Sequence, residues 1–164
     1  KSTLCLALCR FIEPFAGDIA IDGVSILKVG LADLRDRITV VPQDPALFEH
    51  TLRFNLDPDG KASDAEIMEL IHKAALTNLV QRDPLGLDAM VHVKGGNLSS
   101  GEKQLICICR AILRKKKIVV MDEATANIDV QTEKTIHDLI KTEFRSSTVL
   151  TVAHRLNTVV ECDR

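Results

Sequence analysis

An α/β domain is what this sequence predicts. Short runs rich in Ile and Val alternate with amphipathic stretches along the whole chain, the pattern of strands and helices that build a largely parallel sheet covered by helices. With 46% hydrophobic and 27% charged residues over 164 positions, the composition is that of a chain that folds around a core, and the length suits one domain or a piece of a larger one. No repeat, low-complexity tract or Gly/Ser linker divides it.

The first element is a helix from Ser2 to Arg10, which Glu13-Pro14 is expected to end because proline cannot continue the hydrogen-bond ladder. Asp18 to Ile26 reads as a hairpin turning at Asp22-Gly23. Ile38 to Val41, closed by Pro42, has the profile of a buried strand leading into a loop from Gln43 to Phe48. The chain then becomes helical. Ser63-x-x-Glu66 is a capping box, after which Ile67, Leu70, Ile71, Ala74 and Ala75 mark one apolar face, and helix is expected to about Val80. A helix starting near Ser99 runs to the basic cluster Arg114 to Lys117, whose charges suit the negative end of the helix dipole. Ile118 to Met121 is a nearly all-apolar strand ending at Asp122-Glu123, a helix follows over roughly Val130 to Phe144, and Thr148 to Val152 is the last strand, leading to His154.

Charge and cysteines narrow the partners. A net charge of −2, with 21 basic and 23 acidic residues, provides no field for nucleic acid, which is disfavoured as the main partner. The apolar runs Leu4 to Cys9 and Ile118 to Met121 fall short of the roughly 20 residues that span a bilayer. Five cysteines without paired CxxC spacing read as reduced, mostly buried thiols, which suits the cytosol. His50, His72, His92 and His137 have no acid or Cys at metal-ligand spacing.

Three segments carry chemistry. Lys1-Ser2-Thr3 heading a helix matches the tail of the phosphate loop G-x-x-x-x-G-K-[ST]. There a lysine reaches the β- and γ-phosphates, the next hydroxyl ligates Mg²⁺ and backbone N–H groups bind the anion; an arbitrary polar start is the other reading. The strand ending at Asp122-Glu123 puts two carboxylates where open parallel sheets face their ligand crevice. The first can hold Mg²⁺ through water and the second can orient or deprotonate an attacking water; two acids capping the next helix is the alternative. Leu98-Ser99-Ser100-Gly101-Glu102-Lys103-Gln104 puts a hydroxyl and a glycine at a helix start, where amides and dipole favour a phosphate. An N-cap without a ligand would look the same.

Taken in order, these segments resemble the nucleotide-binding domain of an ATP-binding cassette transporter. Lys1-Ser2-Thr3 resembles the end of its Walker A loop, Gln43 its Q-loop, Leu98 to Gln104 its signature motif, Val119 to Glu123 Walker B, Ala126-Asn127-Ile128-Asp129 the D-loop and His154 the H-switch. Val41 to Phe48 with Thr51 to Pro58 is similar to exporters of the C subfamily, the multidrug-resistance-associated proteins, and Glu123 resembles their second nucleotide-binding domain. The resemblance implies a P-loop NTPase-type, mostly parallel sheet flanked by helices, with a helical subdomain of about residues 60–115 inserted and carrying the signature, and with further parts of the fold expected upstream of Lys1 and after Arg164.

It also implies roles. Lys1 would bind the β- and γ-phosphates and Thr3 the α-phosphate of ATP; Ser2, with Gln43 and Asp122 through water, would form the Mg²⁺ shell; Glu123 would act as base or water-orienting group and His154 would contact the γ-phosphate. Ser99 and Gly101 would close over ATP held by a second nucleotide-binding domain, head to tail, and Asp129 belongs to the same nucleotide-side set. Phe48 and Phe54 could belong to the core, but they flank the Q-loop, where the resemblance implies contact with the transmembrane half; it also implies a domain on the cytoplasmic face of a membrane. The implied function is ATP hydrolysis that powers export, the alternative being an ATP-sensing regulatory domain with little turnover. A soluble cassette ATPase of translation or DNA repair fits the segment after Gln43 and the charge less well.

Two departures stand inside the signature: Ser100 replaces the usual glycine and Glu102 the usual glutamine, and Glu102 is expected to put an unpaired acid near the partner's phosphates. The glycines of the phosphate loop and the aromatic that stacks on adenine are expected before Lys1, so residues 1–164 alone are expected to bind ATP weakly and to be inactive.

Overall fold

A computed structural model describes residues 2–122, 128–152 and 162–163. Its first helix, α1 (Ser2–Leu8), ends two residues earlier than expected and without help from Pro14. Arg10 takes a left-handed φ of 51°, and the Arg10 and Phe11 amides bond back to the Ala7 and Leu6 carbonyls at 3.0 and 2.9 Å, closing a Schellman turn. A non-glycine residue is held there by its guanidinium, which donates to the Ile26 and Val29 carbonyls at 3.2 and 3.0 Å. Arg35 adds bonds to the Cys9 and Arg10 carbonyls.

The hairpin forms as expected. β1 (Ala20–Ile21) pairs antiparallel with β2 (Val24–Ser25), and Asp22 and Gly23 both have positive φ, 50° and 78°, as a tight I′ turn demands. A helix absent from the sequence reading, α2 (Leu31–Arg37), then feeds directly into β3 (Ile38–Val41). Only Leu34 of α2 is buried, so four charges in seven residues hide its apolar face.

Between β3 and the next strand the described chain is helical. α3 (Leu52–Leu56) starts at a Thr51 cap, and α4 (Asp64–Lys73) starts at the expected Ser63–Glu66 capping box. Ile67, Leu70, Ile71 and Ala74 are buried, but Ala75 is exposed with φ 55°. That left-handed residue breaks the expected continuous helix, and α5 (Thr77–Gln81) begins anew. Two short 3-10 turns lead to α6 (Ser100–Leu113).

The basic cluster after α6 is not simply a dipole cap. Lys115 Nζ meets Glu66 at 2.7 Å, Lys116 Nζ meets Asp36 at 2.8 Å and Lys117 Nζ donates to the Ser146 carbonyl at 3.3 Å. The run fastens the end of α6 to three separate elements.

β4 (Ile118–Asp122), α7 (Val130–Glu143) and β5 (Thr148–Val152) complete the described order. The sheet β3-β4-β5 is parallel, with Val41 opposite Met121 and Asp122 opposite Val152. Because side chains alternate along β4, Val119 and Met121 join one core with α3 to α7, while Val120 joins a second with Cys5 of α1, Cys9 just after it, Leu34 of α2 and Ile26. Helices therefore cover both faces, and all three strands end at one edge.

Candidate functional site at the carboxyl edge of the sheet

Among the described residues, Gln43 and Asp122 lie at that edge. β3 ends at Val41, two residues before Gln43; β4 ends at Asp122 itself; β5 ends at Val152, two residues before His154. Register places these ends side by side. Helix α1, opened by Ser2, lies on the β4 side of the sheet, and Asp122 is near enough that its charge adds to desolvation in raising the Cys5 thiol pKa.

Asp122 Oδ1 is buried and has no hydrogen-bond partner among the described residues. A buried carboxylate oxygen without a donor is costly unless a cation or water completes it, so this atom fits a divalent ion. Among the described residues no group of three His, Cys, Asp or Glu could hold a metal. Mg²⁺ needs no such group, since it takes one or two protein oxygens and fills its octahedron with water and phosphate. Gln43 and Thr3 are exposed at this end. Lys1, Glu123, Ala126, Asn127 and His154 lie outside the described residues.

The signature segment is built differently from its expectation. Ser99 caps α6, its Oγ accepting the Glu102 amide at 3.2 Å. Glu102 turns back: one carboxylate oxygen accepts the Ser99 amide at 2.7 Å and the other meets Arg82 at 3.0 Å. The acid expected to stand unpaired is thus the second half of a capping box, with a cation beside it. Ser99-x-x-Glu102 has the same spacing as Ser63-x-x-Glu66, so the signal was present in the sequence.

Gly101 is buried against α7, where a Cβ would sit 3.0 Å from Thr132 Cγ2 and 3.2 Å from its Oγ1. Asp129 caps α7, accepting the Thr132 amide at 3.0 Å and hydroxyl at 2.7 Å. These two bonds hold its carboxyl below the usual carboxylate range. Thr132 therefore joins two predicted residues, Gly101 and Asp129, and Asp129 has a capping role that needs no ligand. Gln104 is 3% exposed with its Nε2 unpartnered.

Two further residues had received no role. Asn55 is fully buried; its Oδ1 accepts the Phe48 amide at 2.8 Å, and its Nδ2 donates to the Phe48 and Thr51 carbonyls at 2.9 and 3.0 Å. Arg110 reaches from α6 to the Asn55 and Ala46 carbonyls at 2.7 and 3.0 Å. Together they hold the loop after Gln43, on which Phe48 is 52% exposed, packs edge-on against Phe54 at 5.7 Å and lies under Arg110. His50 tilts over Phe54 at 4.1 Å. An arginine among Ile106, Cys107 and Ala111 on an apolar stripe was the available signal for Arg110.

A parallel sheet with helices on both faces and an unsatisfied carboxylate at its carboxyl edge defines a ligand-binding α/β domain. A family model described as ABC transporter matches residues 1–126. The chain is 47% identical over 164 residues to rat ATP-binding cassette sub-family C member 3 and 48% identical over 164 residues to human sub-family C member 2, in each case covering all of this chain and 11% of the relative. It is also 48% identical over 163 residues to Arabidopsis thaliana ABC transporter C family member 9. A solved structure of a bacterial Atm1-family ABC exporter with ATP bound superposes with a TM-score of 0.90 at 38% identity, over 99% of this chain and 29% of that one. The chain belongs to the ABC transporter family, as an exporter-type nucleotide-binding domain similar to those of the C sub-family.

Proposed function

We propose that this domain binds ATP with Mg²⁺ and hydrolyses it to drive export through transmembrane domains, by closing head to tail on a second nucleotide-binding domain. The observation that carries the reading is the buried Asp122 Oδ1, without a partner among the described residues, at the edge where β3, β4 and β5 all end. The ion would be held by Ser2 and, through water, by Asp122 and Gln43, and would supply charge neutralisation for phosphoryl transfer. Lys1 and Thr3 bind the phosphates on this side. Glu123, one residue beyond the metal-side carboxylate, orients or deprotonates the attacking water, with His154 against the γ-phosphate. Ser99 and Gly101 serve the partner's ATP, with Asp129 beside them. Residues of about 60–115 act as the helical subdomain that carries the signature, and the Phe48–Phe54 patch meets the transmembrane half on the cytoplasmic face of the membrane. Glu123 assigns the domain to the second position of a C-subfamily transporter.

The test is a pair of substitutions in the complete protein. Glu123→Gln removes the proton-accepting charge but leaves the ion shell, so ATP still binds while single-turnover hydrolysis at this site falls by about 10²- to 10⁴-fold. Asp122→Asn weakens binding as well, because it alters the ion shell. Wild-type hydrolysis by Glu123→Gln at this site would sink the catalytic assignment in favour of an ATP-sensing regulatory domain.

A further inference from the structure

Arg82 lies at the end of α5, 20 residues before the residue it grips. Its Nη1 meets Glu102 Oε1 at 3.0 Å and its Nη2 donates to the Asn97 carbonyl at 3.0 Å. Asn97 is itself fixed, its Oδ1 accepting the His92 amide and its Nδ2 donating to the Met90 carbonyl, both at 3.0 Å. Arg82 therefore ties the loop entering α6 to the third residue of that helix. Glu102 is the less exposed partner, at 23% against 47% for Arg82.

We infer that Arg82 is a positioning residue of the signature half-site: it holds the Glu102 carboxylate in the capping turn and cancels its charge, so that a signature carrying an acid can still face phosphates. The inference rests on the proposed function, in which the Ser99 end of α6 closes over the partner's ATP. A carboxylate at the third helical position draws on the same positive N-terminal potential that would attract a phosphate. With Arg82 beside it, the pair adds no net charge. Without Arg82, one negative charge remains at the closing face. Ser99 Oγ accepts in the cap, and it keeps its place only while the capping turn is intact.

The experiment uses the full-length transporter with a distance probe on each nucleotide-binding domain, and reads the ATP concentration for half-maximal closure. The unsubstituted protein is compared with Arg82→Gln, Arg82→Lys, Glu102→Gln and the double Arg82→Gln/Glu102→Gln. Arg82→Gln is expected to require about two- to fivefold more ATP, the scale of one partly exposed ion pair. Arg82→Lys and the double variant are expected near the unsubstituted value, and Glu102→Gln at or below it, because the order follows the pair's net charge. An Arg82→Gln protein that closes like the unsubstituted one overturns the inference alone, as does a double variant no better than Arg82→Gln. Lack of ATP-driven closure in the unsubstituted transporter overturns the underlying reading and the inference with it. Thermal unfolding checks each variant; should Arg82→Gln fail to fold, the double variant decides, since a charge role requires it to close normally.

Discussion

Gly101 owes its identity to a neighbour in its own chain. In a helix interior alanine is favoured over glycine by roughly 1 kcal/mol, yet a Cβ at this position would press on Thr132 Cγ2 at 3.0 Å. Gly101→Ala is therefore expected to destabilise the domain by about 1–3 kcal/mol through overpacking, and Thr132→Ser to recover most of the loss. Serine removes the offending methyl while keeping the hydroxyl that bonds Asp129. Urea midpoints of the two single variants and the double variant check this, and an unshifted Gly101→Ala midpoint would refute it. Helix-start and strand-end patterns made Ser99, Gly101 and Asp122 candidates, and the family resemblance added Gln43. Neither could show that Glu102 pairs with a side chain 20 positions earlier, or that Asn55 feeds three groups of one loop, because those partners meet only after folding.

Among the elements, β3, β4 and β5 were readable to within a residue; β4, with Val119, Val120 and Met121 buried, writes itself as a continuous apolar run. Helices α1 and α4 were misjudged at their ends, where Arg10, held by its guanidinium, and Ala75, in a local turn closed by the Leu76 amide on the Ile71 carbonyl, take a conformation that residue preference alone disfavours. The start of α4 is secured twice, by the Ser63 cap and by Glu66, whose carboxyl is held at about 2, against an ordinary 4.5, by Lys115 first and then by the Ser63 amide and hydroxyl. A carboxyl pKa lowered in the folded state contributes stability that is complete above the unfolded value and is lost as pH falls through the folded one. The gap in urea midpoint between wild type and Glu66→Gln is accordingly expected to be full at pH 6 and to close between about pH 4.5 and about pH 2; a gap that ignores pH over that window would show that the bonds to Glu66 do not stabilise the fold. Ser63→Ala should cost about 1 kcal/mol by losing the cap.

For the molecule as a whole, one parallel register brings the ends of β3, β4 and β5 to one edge, and the acidic end of β4 at Asp122 was the sequence signal for where that edge lies. The two-core layering was less legible, since α2 buries only Leu34. The layers leave a reporter. Cys5, Cys9, Cys107 and Cys109 are buried and Cys162 is exposed, and desolvation pushes Cys109 up to about 12. Of the thiols in residues 1–164, maleimide should modify Cys162 alone in the native protein and the other four only on unfolding, as peptide mapping would read; rapid native labelling of Cys107 or Cys109 would contradict the packing. Helix α6 crosses this interior with Ser99 at one end and Arg110 near the other, and Arg110 grips the loop bearing Phe48. In mechanical language it is a connecting rod about 16 Å long between those two points at 1.5 Å per residue. A load applied at Phe48 has no slack to take up, because Asn55 and Arg110 clamp both flanks of its loop. Tilting the rod by about 10° would swing the Ser99 end through about 3 Å, roughly the span of one hydrogen bond.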